Sequence, residues 1–193
     1  MQRANQNQRG FSLIEVMVST MIISVSVLGM AGMQITAKRA GHEAVQRTSA
    51  TALSTDLIER MRANPTALGD YVTSGLGGSS ITAEPTPDCS NDTTNACSPA
   101  QKAAHDLWEW EQALDGAAET RDESGTEIFV GGLLNPTACV SESSGELTIS
   151  IAWEGYQSIS SPGLSGCGTG LGKYGVDDAK RQLLSITTFI TEQ

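Results

Sequence analysis

Positive charge is scarce in this chain: 12 Lys and Arg stand against 22 Asp and Glu, a formal net charge of −10. No basic stripe is present, which argues against nucleic acid as a partner. Aromatic residues are few, at 5 %, while glycine is frequent, at 20 residues. Much of any folded head should therefore be loop. Catalytic signatures are lacking. Gly-x-Ser-x-Gly does not occur, so His105-Asp106 has no nucleophile motif beside it and reads as solvated helix surface. His42 reads the same way. The four cysteines contain no Cys-x-x-Cys, which argues against zinc. Asp88, Asn91 and Asp92 form an oxygen-rich loop without the glycine and closing glutamate of an EF-hand, so a plain turn is expected there. No internal repeat is evident. No metal, cofactor or catalytic residue is assigned.

Long apolar runs are absent too, with one exception. After a short leader ending in Gly10, about 21 apolar or small residues follow, Phe11 to Ala31, interrupted by a single carboxylate at Glu15. At ~1.5 Å per residue this run spans about 30 Å, enough for a bilayer core. A secretory signal peptide has a shorter apolar core and a small-residue cleavage site after it. Here the run is longer, and Ala37 is followed by Lys38 and Arg39. A plain anchor would explain the length but neither Glu15 nor the Gly10-Phe11 junction. A carboxylate in such a segment costs roughly 2.5–3.5 kcal/mol on insertion, so Glu15 is functional by default.

The run Gly10-Phe11-Ser12-Leu13-Ile14-Glu15-Val16 resembles the N-terminus of type IV prepilins and the related pseudopilins. The resemblance implies cleavage between Gly10 and Phe11 by a prepilin peptidase, N-methylation of Phe11, and assembly into a filament. It also implies a role for Glu15: pairing with the terminal amine of a neighbouring subunit. A lone buried carboxylate must be neutralised or paired, so the subunit would be satisfied only when docked. Basic residues flank the segment on both sides and do not orient it. Cys89, Cys97, Cys139 and Cys167, an even set, suit an oxidising compartment. The leader is therefore expected in the cytoplasm and the remainder in the periplasm.

The expected organisation is a leader over 1–10, a membrane and filament-core helix over 11–31, its amphipathic continuation over 32–64, and a globular head over 65–193. No proline occurs from Ile35 to Ala63, and Ala50, Leu53, Leu57 and Met61 recur at helical spacing with Ile58 beside them. Arg60 and Arg62 suit the last turn, and Asn64-Pro65 ends it. The result is one helix of about 53 residues, ~80 Å long, whose Leu53/Leu57/Met61 stripe should pack on the head. Gly29, Gly32 and Gly41 weaken its middle by about 1 kcal/mol each relative to Ala.

Thr66 to Asn95 reads as loop. Ser98-Pro99 then looks like an N-cap with Pro at the first helical position, opening a second helix to about Asp115 that Gly116 ends. Its apolar face is imperfect at Glu111. Strand signals come last: Thr126–Leu134, Thr137–Val140 and Glu146–Trp153 around Ser143-Ser144-Gly145, and Arg181–Ile190. In Glu146–Trp153 apolar residues alternate with Thr148, Ser150 and Ala152, the period of a half-buried strand. Ser158–Asp178 is a glycine-rich loop. The fold class is α+β: a long N-terminal helix packed on a small antiparallel sheet, with a second helix and long loops.

Four cysteines allow three connectivities. The favoured one is Cys89–Cys97, a tight loop before the second helix, with Cys139–Cys167, tying a strand to the last long loop. Of Trp108, Trp110 and Trp153, at least two are expected in the core. Trp108 and Trp110 cannot share one helix face.

Two stretches sharpen the resemblance. Asp56-Leu57-Ile58-Glu59-Arg60-Met61-Arg62-Ala63-Asn64-Pro65 and Ala103-Ala104-His105-Asp106-Leu107-Trp108-Glu109-Trp110 are similar to the type IV pilus modification protein (PilV) family of minor pilins from Gram-negative bacteria. That family implies a non-enzymatic, low-copy subunit near the pilus tip. It would prime assembly with other minor pilins and the major pilin, and support motility and a tip adhesin. It would be held by a single pass in the inner membrane before entering the filament. A pseudopilin of type II secretion is the alternative, sharing Gly10, Phe11 and Glu15.

Overall fold

The computed structural model describes residues 10–78, 80–81, 83–90, 97–159 and 165–191. Residues 1–9 of the leader, and Asn91 and Asp92 of the oxygen-rich loop, lie outside them. The chain divides into two compact units, Met1–His42 and Glu43–Gln193.

Helix α1 spans Leu13–Ala63. Its first part, in the first unit, has exposed apolar side chains such as Leu13, Ile14 and Met21. Serine and threonine hydroxyls in this part donate to carbonyls three or four residues back. Ser19 reaches Glu15, Thr20 reaches Met17, Ser24 reaches Thr20 and Ser26 reaches Ile22. Those hydroxyls are satisfied within the helix, as an apolar surrounding requires. The helix is long and apolar enough to cross a membrane. It runs unbroken through Gly29, Gly32 and Gly41, where a Cβ would meet open space.

In the second unit, Ala50, Ser54, Leu57, Ile58 and Met61 of α1 are buried. They share one core with Tyr71, with Ala103, Leu107, Trp110 and Leu114, and with sheet residues Val140, Leu147, Ile149 and Ile151. Helix α2, Pro99–Asp115, supplies the second of these groups. It opens with a capping box: Gln101 N–H donates to the Ser98 hydroxyl, and Ser98 N–H donates to the Gln101 side chain. It closes at Gly116 in the left-handed region, φ 73°. A Cβ there would lie 1.8 Å from the Gly132 nitrogen, so the close approach of two backbones also demands glycine.

Six strands occur among the described residues. β1 (Thr73–Leu76), β4 (Thr137–Ser143), β5 (Glu146–Glu154) and β6 (Arg181–Phe189) form one antiparallel sheet in the order β1-β4-β5-β6. β2 (Thr120–Glu123) and β3 (Thr126–Phe129) pair only with each other. Both hairpins close with Ser-Gly at positive φ, Ser124-Gly125 and Ser144-Gly145. Two successive positive φ values match the twist that a two-residue hairpin needs.

The α+β architecture agrees with the sequence expectation, with four differences. The Asn64-Pro65 stop leads into a short 3-10 helix, Pro65–Tyr71, rather than loop. β1 lies in the segment read as loop, because four residues containing Gly75 carry no periodic signal. The strand expected over Thr126–Leu134 ends at Phe129, as the second arm of the β2–β3 hairpin. β5 is buried on both faces over its second half, since Ser150 and Ala152 are buried along with Ile149, Ile151 and Trp153. The cover is the glycine-rich loop: the Cys167 sulfur lies against Ser150, and a Cβ on Gly168 would touch Ala152.

Candidate functional site

The Gly10–Phe11 bond lies two residues before α1, outside the helical hydrogen-bond ladder. Gly10 is exposed and Phe11 is 85 % exposed. The first helical bonds run from Glu15 and Val16 N–H to the Ser12 carbonyl. The Glu15 carboxylate sits in the first turn of α1, where the helix dipole favours a negative charge. It has no ion-pair or hydrogen-bond partner among the described residues. The nearby Ser19, Thr20, Ser24 and Ser26 hydroxyls, by contrast, bond back within the helix.

The two stretches Asp56–Pro65 and Ala103–Trp110 meet in the second unit. Arg60 bonds Asp56 Oδ2 at 2.9 Å on its own helix and reaches Glu109 Oε2 at 2.5 Å and Asp106 Oδ1 at 3.5 Å on α2. Burial works against the guanidinium charge, but the bonds to Glu109 and Asp56 outweigh it and raise the Arg60 pKa above its ordinary value. Tyr71 OH donates to Asp106 Oδ2 at 2.5 Å, and Asn64 Nδ2 donates to Tyr71 OH and to the Pro99 carbonyl. Burial, then the Asp106 carboxylate, push the Tyr71 phenol up. The Trp110 ring N–H donates to the Leu53 carbonyl at 2.9 Å. This polar seam fixes α2 against the end of α1.

Further along α2, Glu111 is fully buried. Its carboxylate accepts from Gly77 N–H at 2.8 Å, Ser80 N–H and Oγ at 2.6 Å each, and Ile81 N–H at 2.7 Å. Asp115 Oδ1 accepts from Gly78 N–H at 2.8 Å. Burial opposes ionisation of Glu111, but the bonds from Ser80, Ile81 and Gly77 prevail and hold its pKa below the usual carboxylate range.

The histidine expectation needs correction. His105 is buried, 5 % exposed, not solvated. By helical spacing it lies on the face of α2 away from the Ala103/Leu107/Trp110/Leu114 stripe, against Glu84 and Asp88, its ring tilted against Trp108 at 5.6 Å between centroids. Trp110 and Trp153 are in the core and Trp108 is half-buried. Cys89 is bonded to Cys97 and Cys139 to Cys167. The Cys167 carbonyl accepts from the buried Arg181 side chain at 2.7 Å.

Known families match two adjoining parts of the chain. Residues 5–31 match the prokaryotic N-terminal methylation motif, and residues 32–108 match the family described as Type IV pilin Tt1218. Comparison with curated proteins and with solved structures finds no match. The methylation motif implies processing by prepilin peptidase and assembly into a pilus. The matched families are structural rather than enzymatic, and together they support a type IV pilin subunit.

Proposed function

We propose that this type IV pilin-like chain is a minor pilin of the PilV kind, acting by packing and not by catalysis. Prepilin peptidase cuts between Gly10 and Phe11, and Phe11 is N-methylated. Residues 11–31 anchor the subunit in the inner membrane of a Gram-negative cell, with the disulfide-bonded head, residues 65–193, in the periplasm. In the filament the same helix joins the core, where Glu15 pairs with the terminal amine of a neighbouring subunit. The subunit sits at or near the tip, where it primes assembly with the other minor pilins and the major pilin and supports motility and a tip adhesin.

One observation carries this reading: a single carboxylate without a described partner, five residues after a non-helical Gly10–Phe11 junction, within a matched methylation motif. The PilV assignment rests further on the Arg60–Asn64 and Asp106–Trp110 stretches, which form the polar seam. Deletion of this gene alone should reduce surface piliation and adhesin display. Re-expression of Glu15→Ala should yield a cleaved protein present in membranes but depleted at least tenfold from sheared pili. Normal piliation, twitching and adhesin display after deletion would contradict the minor-pilin role. A secretion defect with intact pili would transfer the chain to the pseudopilins.

A further inference from the structure

Helix α2 holds a buried polar group, His105, to which the proposed assembly role assigns no part. The Nε2 of His105 has no hydrogen-bond partner among the described residues, although the side chain is 6 % exposed. A native fold seldom leaves a buried nitrogen so placed without cause. It lies 3.6 Å from Glu84 Oε1 and 3.5 Å from Asp88 Oδ1. The three ligand atoms are all within 4.8 Å of one another. Two carboxylates thus converge on one ring nitrogen at distances too long for good hydrogen bonds.

Those distances have a natural explanation. Around a tetrahedral zinc ion with bonds of about 2.0–2.2 Å, neighbouring ligand atoms sit roughly 3.3–3.6 Å apart. We propose that Glu84, Asp88 and His105 bind one divalent metal ion of the zinc class, with a fourth position open to water. The donor set selects the class. Imidazole suits zinc and its transition-metal neighbours, whereas calcium and magnesium take oxygen ligands.

The surroundings suit such a site. The Glu84 and Asp88 side chains are 46 % and 55 % exposed, so an ion has a way in. Asp88 Oδ1 also accepts from Ser90 N–H at 2.8 Å, which orients the carboxylate. Cys89, next to Asp88, is bonded to Cys97, which directly precedes the Ser98 cap of α2. The disulfide therefore holds the carboxylate loop beside the helix that carries His105. Bound metal would fasten residues 84–90 to α2 and stiffen this side of the head.

The test uses the full chain in detergent with both disulfides intact. Zinc affinity is read by competition with a chromophoric chelator, and stoichiometry by native mass spectrometry. One zinc per chain is expected. Asp88→Asn with Glu84→Gln should weaken binding at least tenfold while circular dichroism stays unchanged, since both side chains are on an accessible loop. Excess calcium should not displace the zinc. His105→Gln should likewise lose binding, but its buried position makes the carboxylate pair the decisive variant. No zinc uptake by the wild type would overturn the site, leaving an ion pair between histidine and carboxylates. Equal affinity in wild type and the double variant would also overturn it, as would displacement by calcium.

Discussion

Glu111 shows how a charge can be buried at small net cost. An isolated carboxylate taken from water would be neutralised or expelled. Here three backbone N–H groups and one hydroxyl surround it. The carboxylate in turn accepts the Gly77, Ser80 and Ile81 N–H groups that follow β1. Its folded pKa is depressed below the ordinary value of 4.5. The unfolded chain therefore binds the proton more tightly than the folded one. The stabilisation from ionised Glu111 is present above about pH 4.5 and is lost as pH falls through the folded value. Glu111→Gln should lower stability at neutral pH by about 1–3 kcal/mol, since an amide has one acceptor oxygen for these donors. It should also make the remaining stability less dependent on acid. Chemical denaturation at pH 7 and pH 4 measures both effects, and an unchanged acid dependence would remove Glu111 as its source.

At the scale of the element, α2 is held at both ends by its own sequence and along its length by its polar residues. Gly116 and Gly125 both have positive φ, but only Gly116 has a neighbouring backbone in the space of a Cβ. Gly125→Ala should cost about 1–2 kcal/mol, the left-handed penalty alone. Gly116→Ala should cost several times more, seen as a far lower thermal midpoint; equal losses would contradict the close approach of Gly116 to Gly132. The caps of α2, Ser98 and Gly116, were legible because capping is local chemistry. So was the Leu57/Met61 stripe, because burial on a helix repeats at a fixed spacing. β1 was not legible: its pairing with β4 is long-range, and Thr73–Leu76 is too short for a period. β2 was not read either: all four of its residues are exposed, with no apolar alternation to announce it. His105, Asp106 and Glu111 were misread or marked as imperfections, since polar residues on a buried face look like errors until their distant partners are known.

The whole molecule combines two units with different requirements. The first, Met1–His42, keeps its apolar side chains outward and its hydroxyls satisfied inward, which suits lipid or a helical filament core. The second, Glu43–Gln193, has its own core, a polar seam and two disulfides. The N-terminal methylation motif matched over residues 5–31 was legible because it is contiguous in sequence. Glu15 has no ion-pair or hydrogen-bond partner among the described residues, so the pairing proposed for it with a neighbouring subunit is outside what a single-chain pattern can carry.

The central claim is that Phe11 becomes the N-terminus of a filament subunit. The most direct measurement is the mass of the N-terminal peptide from wild-type cells and from cells lacking prepilin peptidase. The account predicts a chain beginning at N-methylated Phe11 in the first and one retaining Met1–Gly10 in the second. An uncleaved N-terminus in both would contradict it and leave residues 11–31 as a simple membrane anchor.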